Sequence, residues 1–321
     1  MQILNEETGF ESINQGYNST FHQSKLSLGI IAPLENHAME PVPTMKRHIE
    51  RVQLAEELGF SAIWLRDVPF NVESFGDAGQ IFDPFVYLGL LAAKTERIAL
   101  GVASIVLPLR HPAHVAKAAA SVDVLSAGRL ILGVASGDRP EEYPALNLTY
   151  DDRGERFQAS FEYIRRMWED APSFENMYGS PDDAMDMLPK PCAGKIPLMI
   201  TGGSQQDPEW IAQNGEGWIT YPRSIDAQQK MINAWRERIK SANGYNKPAV
   251  QSLYIDLLEE ADAPAQPIHL GFRSGVNQLR AYLKSLEEIG INHVALNLRF
   301  NQAGVETTMK RLANELLPDF S

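Results

Sequence analysis

Short apolar runs alternate along this chain with longer stretches in which apolar residues recur every three or four positions. The first kind reads as buried strand, the second as amphipathic helix. Residues 97–138 show the alternation most clearly. Ile98 to Leu107 is apolar almost throughout, too continuous for a sheet with one wet face. Pro108 and Pro112 close that run, and Pro112 suits the first turn of a helix. Val115, Ala118, Ala119, Val122 and Leu125 follow at helical spacing, with Gly128 where a C-terminal cap is expected. Leu130 to Val134 is the next buried run and leads into Ala135, Ser136 and Gly137. A strand–helix–strand unit with so short a crossover requires parallel strands, hence an α/β fold.

The same pattern continues on both sides. Further strands are predicted at 26–31, 62–65, 198–201, 217–220, 249–258 and 293–298. Helices are predicted from about Thr44 to Gly59, from Pro84, over 157–168, up to Asn214, and over 225–242, 279–289 and 305–317. Eight strands alternating with eight helices predict a (β/α)8 TIM barrel, one domain spanning 26–321. An open doubly wound sheet is the alternative, because spacing does not give strand order. The glycine fingerprint of a dinucleotide-binding fold is absent after the first strand. Residues 1–25 are polar and aperiodic, and read as an N-terminal arm outside the core. The stretches 68–83, 170–195 and 259–275 read as long loops, a length that favours a functional role.

A chain of 321 residues can bury a sizeable core. Its net charge of −12 and pI near 5.1 argue against nucleic-acid and anionic-membrane partners. No apolar run approaches the roughly 18 residues of a membrane span, and the N-terminus lacks the apolar core of a secretion signal. Cys192 stands alone, so neither an intrachain disulfide nor a thiolate metal cluster is possible. A cytoplasmic protein acting on a small molecule is the expectation. His111 and His114 lack a carboxylate to complete a metal set, and capping or packing is their plainer reading.

Small residues end both strands of the central unit. Ala103, Ser104, Ser136 and Gly137 would leave room for a flat ligand against the backbone at the carboxyl ends, where α/β folds bind ligands. Gly202-Gly203-Ser204 follows a buried strand and precedes a helix, an arrangement that offers backbone N–H groups to an anion. By itself it is equally a tight turn with a serine cap.

The run TERIALGVASIVLPLRHPAHVAKAAASVDVLSAGRLILGVASG resembles the signature of the bacterial luciferase-like flavin monooxygenases. The resemblance implies an FMN site at the carboxyl end of a (β/α)8 barrel. It places a non-prolyl cis peptide at Ala103-Ser104 beneath the flavin ring, the flavin phosphate among Ser136, Gly137, Arg153, Gly203 and Ser204, and Thr201 among the cofactor-binding residues. Relatives have an arginine where Ser136 stands, so Arg139 or backbone donors compensate. Asp67 matches an acid that faces the flavin and is the expected catalytic residue, as hydrogen-bond acceptor or proton relay. Its structural alternative is an ion pair with Arg66 or Arg97. Relatives carry histidines where Val68 and Pro69 stand, which argues against luciferase chemistry itself. Gly271 to Gly275 is a second anion candidate, read as a lid or substrate contact.

The resemblance thus implies an FMN-dependent monooxygenase in which reduced flavin and dioxygen oxygenate a small organic substrate. Electrons come from a separate flavin reductase or from NAD(P)H, and a homodimer is expected. A deazaflavin-dependent hydride-transfer enzyme and a non-catalytic flavin-binding protein are the alternatives.

Overall fold

The computed structural model describes residues 9–182, 184–242 and 244–320. Its strands are β1 (Ser27–Ile31), β2 (Ala62–Leu65), β3 (Ala99–Val106), β4 (Leu130–Ala135), β5 (Leu198–Thr201), β6 (Gly217–Thr220), β7 (Ala249–Leu257), β8 (Gln266–Ile268), β9 (Gly271–Ser274) and β10 (His293–Asn297). They run in the order β10-β1-β2-β3-β4-β5-β6-β7, and β10 pairs back onto β7. Every one of these pairings is parallel, so eight strands close into a barrel. Closure falls on His293, which registers with Ser27 on one side and Val250 on the other. The last half of β7 leaves the barrel to pair with β9, which forms an antiparallel hairpin with β8. That hairpin lies within 259–275, where a loop was predicted.

The helices are α1 (Gln15–Thr20), α2 (His48–Leu58), α3 (Pro84–Lys94), α4 (Pro112–Leu125), α5 (Glu142–Ala145), α6 (Arg153–Met167), α7 (Pro208–Asn214), α8 (Ile225–Ser241), α9 (Val276–Glu288) and α10 (Val305–Glu315). Their ends follow local chemistry. The Asp83 carboxylate accepts from the amides of Phe85 and Val86 ahead of Pro84. The His111 ring caps α4 by accepting from the Ala113 amide at 3.3 Å, which is the capping role read from its sequence. Gly59 ends α2 with φ +91°, a conformation glycine adopts freely. α2 begins four residues later than predicted. Thr44 and Met45 instead donate their amides to the Glu35 carboxylate, and Met45 and Arg47 have left-handed backbone.

The inside of the barrel is filled by alternate residues of the strands: Ile31, Ala62, Trp64, Ala99, Ile131, Met199, Ile219, Val250 and Ala295. Two glycines make room for the largest of them. A Cβ on Gly101 would lie 2.4 Å from the Trp64 indole, and one on Gly217 would lie 2.2 Å from the Met199 methyl. Trp64 donates its indole N–H to His293 Nε2 at 2.8 Å. His293 Nδ1 lies 2.7 Å from Ser27 Oγ, which donates to the Thr20 carbonyl at 2.6 Å. With Nε2 accepting, the proton sits on Nδ1, and the Trp64, His293 and Ser27 donors are all satisfied. Burial pushes the His293 pKa down to about 3, so the ring is neutral.

The reading of the N-terminal segment as an arm outside the core is corrected by this packing. Residues 1–8 lie outside the described residues, but Phe10, Ile13, Tyr17 and Phe21 are buried in the same cluster as Trp64 and Met199. Gly16 donates to the Gly128 carbonyl at 2.9 Å, Asn14 donates to Asp123 and Leu130, and Tyr17 donates to the Glu216 carbonyl. The segment floors the amino end of the barrel. A six-residue helix is too short to show a helical period, which is why the pattern missed it.

Candidate active site

At the opposite end, β3 carries the first predicted feature. The peptide between Ala103 and Ser104 is cis, and the β3–β4 register shifts between Val102 and Ile105. Ser104 Oγ hydrogen-bonds Thr201 Oγ1 at the end of β5. Ser204 Oγ donates to the Thr201 carbonyl at 2.7 Å, and Trp218 Nε1 donates to the Gly202 carbonyl at 2.8 Å. Gly202 and Ser204 both have positive φ. A Cβ built on Gly203 meets nothing within 4 Å, so that backbone stands beside open space. Ser104, Thr201, Gly203 and Ser204, predicted separately, therefore meet across β3 and β5.

Arg153 opens α6 beside this turn. Gln206 Nε2 donates to the Gly154 carbonyl at 2.8 Å, and a Cβ on Gly154 would press to 2.9 Å from Gln205. The Arg153 guanidinium lies 3.7 Å over the Tyr150 ring and donates to the Tyr150 carbonyl, while its buried Nε has no partner. Tyr143 packs edge-on against Tyr150 and donates to the Ser136 carbonyl. Gly137, at φ +80°, leaves the space that Val106 and the Tyr143 hydroxyl occupy. Ser136, Gly137 and Arg153 are thus joined through Tyr143. Asp152 Oδ1, also buried and unpartnered, opposes the positive charge here.

Asp67 is placed differently from either expectation. Its carboxylate takes two hydrogen bonds from Arg110, at 2.7 and 3.0 Å, and one from the Val106 amide at 3.1 Å. Arg110 also reaches Asp83 at 2.9 Å. Burial opposes its charge, but the Asp67 bonds hold the guanidinium's pKa above its usual value. The partner is therefore Arg110, not Arg66 or Arg97. Both Asp67 oxygens are engaged by the chain, and they pin β3 two residues beyond Ser104.

A second polar cluster closes the centre of the mouth. Asp77, on the β2–α3 loop, accepts from Arg66 at 2.6 Å and from the Gly79 amide at 2.9 Å. Arg299, two residues past β10, pairs with it at 2.9 Å. Arg139 donates to the Asp77 carbonyl, and the His37 ring is 3.7 Å from the carboxylate. Burial opposes the Asp77 charge, yet His37 and the Arg66 guanidinium hold its pKa far below the usual range. Glu142 lies 4.0 Å from Arg139, and burial pushes its carboxyl up to about 7. Among the described residues no group of three or more His, Cys, Asp or Glu side chains could hold a metal ion, and no helix is long and apolar enough to cross a membrane.

The family model described as "Luciferase-like monooxygenase" matches residues 26–301. The chain belongs to this family. Among its relatives is an F420-dependent glucose-6-phosphate dehydrogenase of Kineococcus radiotolerans, 29% identical over 67% of this chain and 64% of the relative. Another is the oxygenase component of a flavin-dependent trigonelline monooxygenase of Acinetobacter baylyi, 24% identical over 77% of this chain and 68% of the relative. In fold it is similar to monooxygenase RslO1 from Streptomyces bottropensis, which is 20% identical, with TM-score 0.75 and coverage of 92% of this chain and 100% of that one. The luciferase-like family holds monooxygenases and F420-dependent dehydrogenases, and binds flavin-type cofactors, FMN or F420.

The residues at the β3–β5 end fit such a group. Ala103 and Ser104 are small and half-buried at the end of β3, which suits a flat ring, while the open backbone at Gly203 and the unpartnered Arg153 Nε suit a phosphate. Sequence reasoning set Arg66 at the carboxyl end of β2, as a partner for Asp67, and missed Asp77, Arg110, Glu142 and Arg299 as members of the mouth. Arg299 did carry a signal, since, like Arg66, it directly follows a strand-like apolar run.

Proposed function

We infer that this luciferase-like chain is an FMN-dependent oxidoreductase, and within that class a monooxygenase using reduced flavin and dioxygen on a small organic substrate. The observation that carries the reading is the small, half-buried pair Ala103-Ser104, tied to Thr201, set beside the Arg153 and Gly202–Ser204 turn. When bound, FMN supplies the redox chemistry. The chain's own part is to hold and orient it. Ala103 and Ser104 face the ring, and Thr201 holds the Ser104 hydroxyl in place. Arg153, Ser136, Gly137, Gly203 and Ser204 take the phosphate. Asp67, with Arg110, positions the end of β3 rather than moving a proton. Glu142 is the carboxyl poised to exchange a proton near neutral pH. Electrons come from a separate reductase or from NAD(P)H.

A deazaflavin-dependent dehydrogenase is the second reading, favoured by the F420-dependent relative. Titration with FMN, riboflavin and F420, followed by fluorescence, separates the two. FMN should bind tighter than F420, and Arg153→Ala should weaken FMN by about 1.5–3 kcal/mol, the scale of a charge-assisted hydrogen bond. Riboflavin, without the phosphate, should change little. Preference for F420, or oxygen uptake with reduced FMN that never responds to any substrate, would overturn the monooxygenase reading.

A further inference from the structure

The β2–α3 loop is built the wrong way round for an ordinary surface loop. It leaves Phe70, Phe75, Ile81 and Phe82 partly exposed, Phe75 lying under the Arg139 guanidinium and Phe82 against the His48 and Tyr87 rings, while Asp77 is buried with only 6% of its surface exposed. The inserted acid is one of the loop's anchors, beside the Arg299 bond to the Gly76 carbonyl and the hydrogen bond from the Ala78 amide to the Pro41 carbonyl. Gln80 helps, by bonding to both backbone groups of Arg66.

The groups receiving the acid come from several strand ends, and Arg299 and Arg139 also donate to the loop's Gly76 and Asp77 carbonyls. Arg66 directly follows β2, Arg299 lies two residues beyond β10, and Arg139 and His37 come from the segments after β4 and β1. Two guanidiniums, Arg66 and Arg299, thus pair with one carboxylate, and a third, Arg139, donates to the same residue's backbone carbonyl. Buried donors remain unused: Arg139 Nη1 and Arg299 Nε have no hydrogen-bond acceptor. Tyr254, whose hydroxyl lies 3.4 Å from Asp77, packs tilted against Phe300 at 5.2 Å and adds an aromatic wall. Such a site is already measured for a carboxylate, and its cations outnumber the one it holds.

Resting on the reading of this barrel mouth as the substrate site, we propose that the substrate carries a carboxylate, which replaces that of Asp77 on Arg66 and Arg299 as the loop withdraws. Asp77 is then an internal competitor. It keeps the cations paired between turnovers and lowers the apparent affinity of the substrate by the fraction of time the loop is in place.

The probe is benzoate, with neutral benzamide and matched sodium chloride as controls. Asp77→Ala removes the competitor, so benzoate should bind it about tenfold tighter or more than the unaltered chain and raise its unfolding midpoint. Benzamide and chloride should do neither, and adding Arg299→Ala should abolish the gain. Asp77→Asn, closer in size, should move the same way if the alanine variant does not fold. In the unaltered chain, saturating benzoate should speed proteolytic cleavage within 68–83. Equal binding of benzoate and benzamide, or no gain in a folded variant, overturns the proposal.

FMN titrated into the same samples keeps the two readings apart. Benzoate binding that persists where FMN fails to bind supports the carboxylate site and removes the cofactor reading. Competition between FMN and benzoate overturns the proposal, because the cluster would then be a cofactor phosphate site.

Discussion

The two ends of this barrel are made by the same strands and solve opposite problems. At the amino end the interior is apolar, plugged by Phe10, Tyr17 and Phe21, and the His293 ring is neutral with each of its hydrogen bonds made. At the carboxyl end, guanidiniums crowd around one acid, and several buried donors and acceptors have no partner. Unsatisfied buried polar groups cost stability, on the order of 1–3 kcal/mol each. A protein keeps them where a ligand completes them. The contrast locates function more sharply than any single motif does.

The comparison breaks first at the amino end. If the arm is core, Phe21→Ala should cost about 4 kcal/mol in denaturant unfolding, the usual price of a buried phenylalanine. A loss under about 1 kcal/mol, the scale of a surface substitution, would return the arm to the surface.

The carboxyl end is tested next by Asp67→Asn. It breaks an ion pair in which Asp67 is buried but Arg110 is partly exposed and keeps Asp83. A cost of about 2–3 kcal/mol is expected, with flavin affinity and turnover per folded molecule changed little. Unchanged stability with turnover lowered about 10²–10⁴-fold would instead make Asp67 a proton relay.

The smallest effects are slopes with pH, and they have opposite signs at the two ends. His293, lowered from 6.5 to about 3 by burial, contributes stability at high pH that is lost as pH falls below 6.5. Glu142, raised from 4.5 to about 7 by burial, contributes stability at low pH that is lost as pH rises from 4.5 to 7. Each amounts to about 1.4 kcal/mol per pH unit at most. Between 4.5 and 6.5 the two slopes offset each other. Unfolding midpoints across that window should rise with pH in Glu142→Gln and fall with pH in His293→Gln. Parallel profiles for the two variants would mean that one of these groups is not buried in its neutral form.

Much of the barrel was legible because parallel strands buried on both faces must be apolar throughout, as Ile98 to Leu107 is. The β8–β9 hairpin was not, because QPI and GFRS are short, half-exposed and lack alternation. In the site, Ala103, Ser104 and Gly202 to Ser204 were readable as local patterns at strand ends. The arginine cluster was not, since Arg66 and Arg299 become neighbours only when β10 closes onto β1 beside β2. Nor does any local pattern distinguish Asp77 from a solvated loop acid. Its burial follows from that same closure.

The division of labour along β7 has an evolutionary consequence. Its first half closes the barrel against β10, and only Tyr254 to Leu257 pairs with β9. The hairpin is therefore a module attached beyond the seam, and its tip at 269–270 can lengthen, shorten or change composition without reopening the barrel. One position is held fixed: a Cβ on Gly271 would fall 1.8 Å from the Tyr254 carbonyl oxygen. Divergence in this lineage should therefore collect in the tip and spare the glycine, letting new mouths arise on an unaltered scaffold.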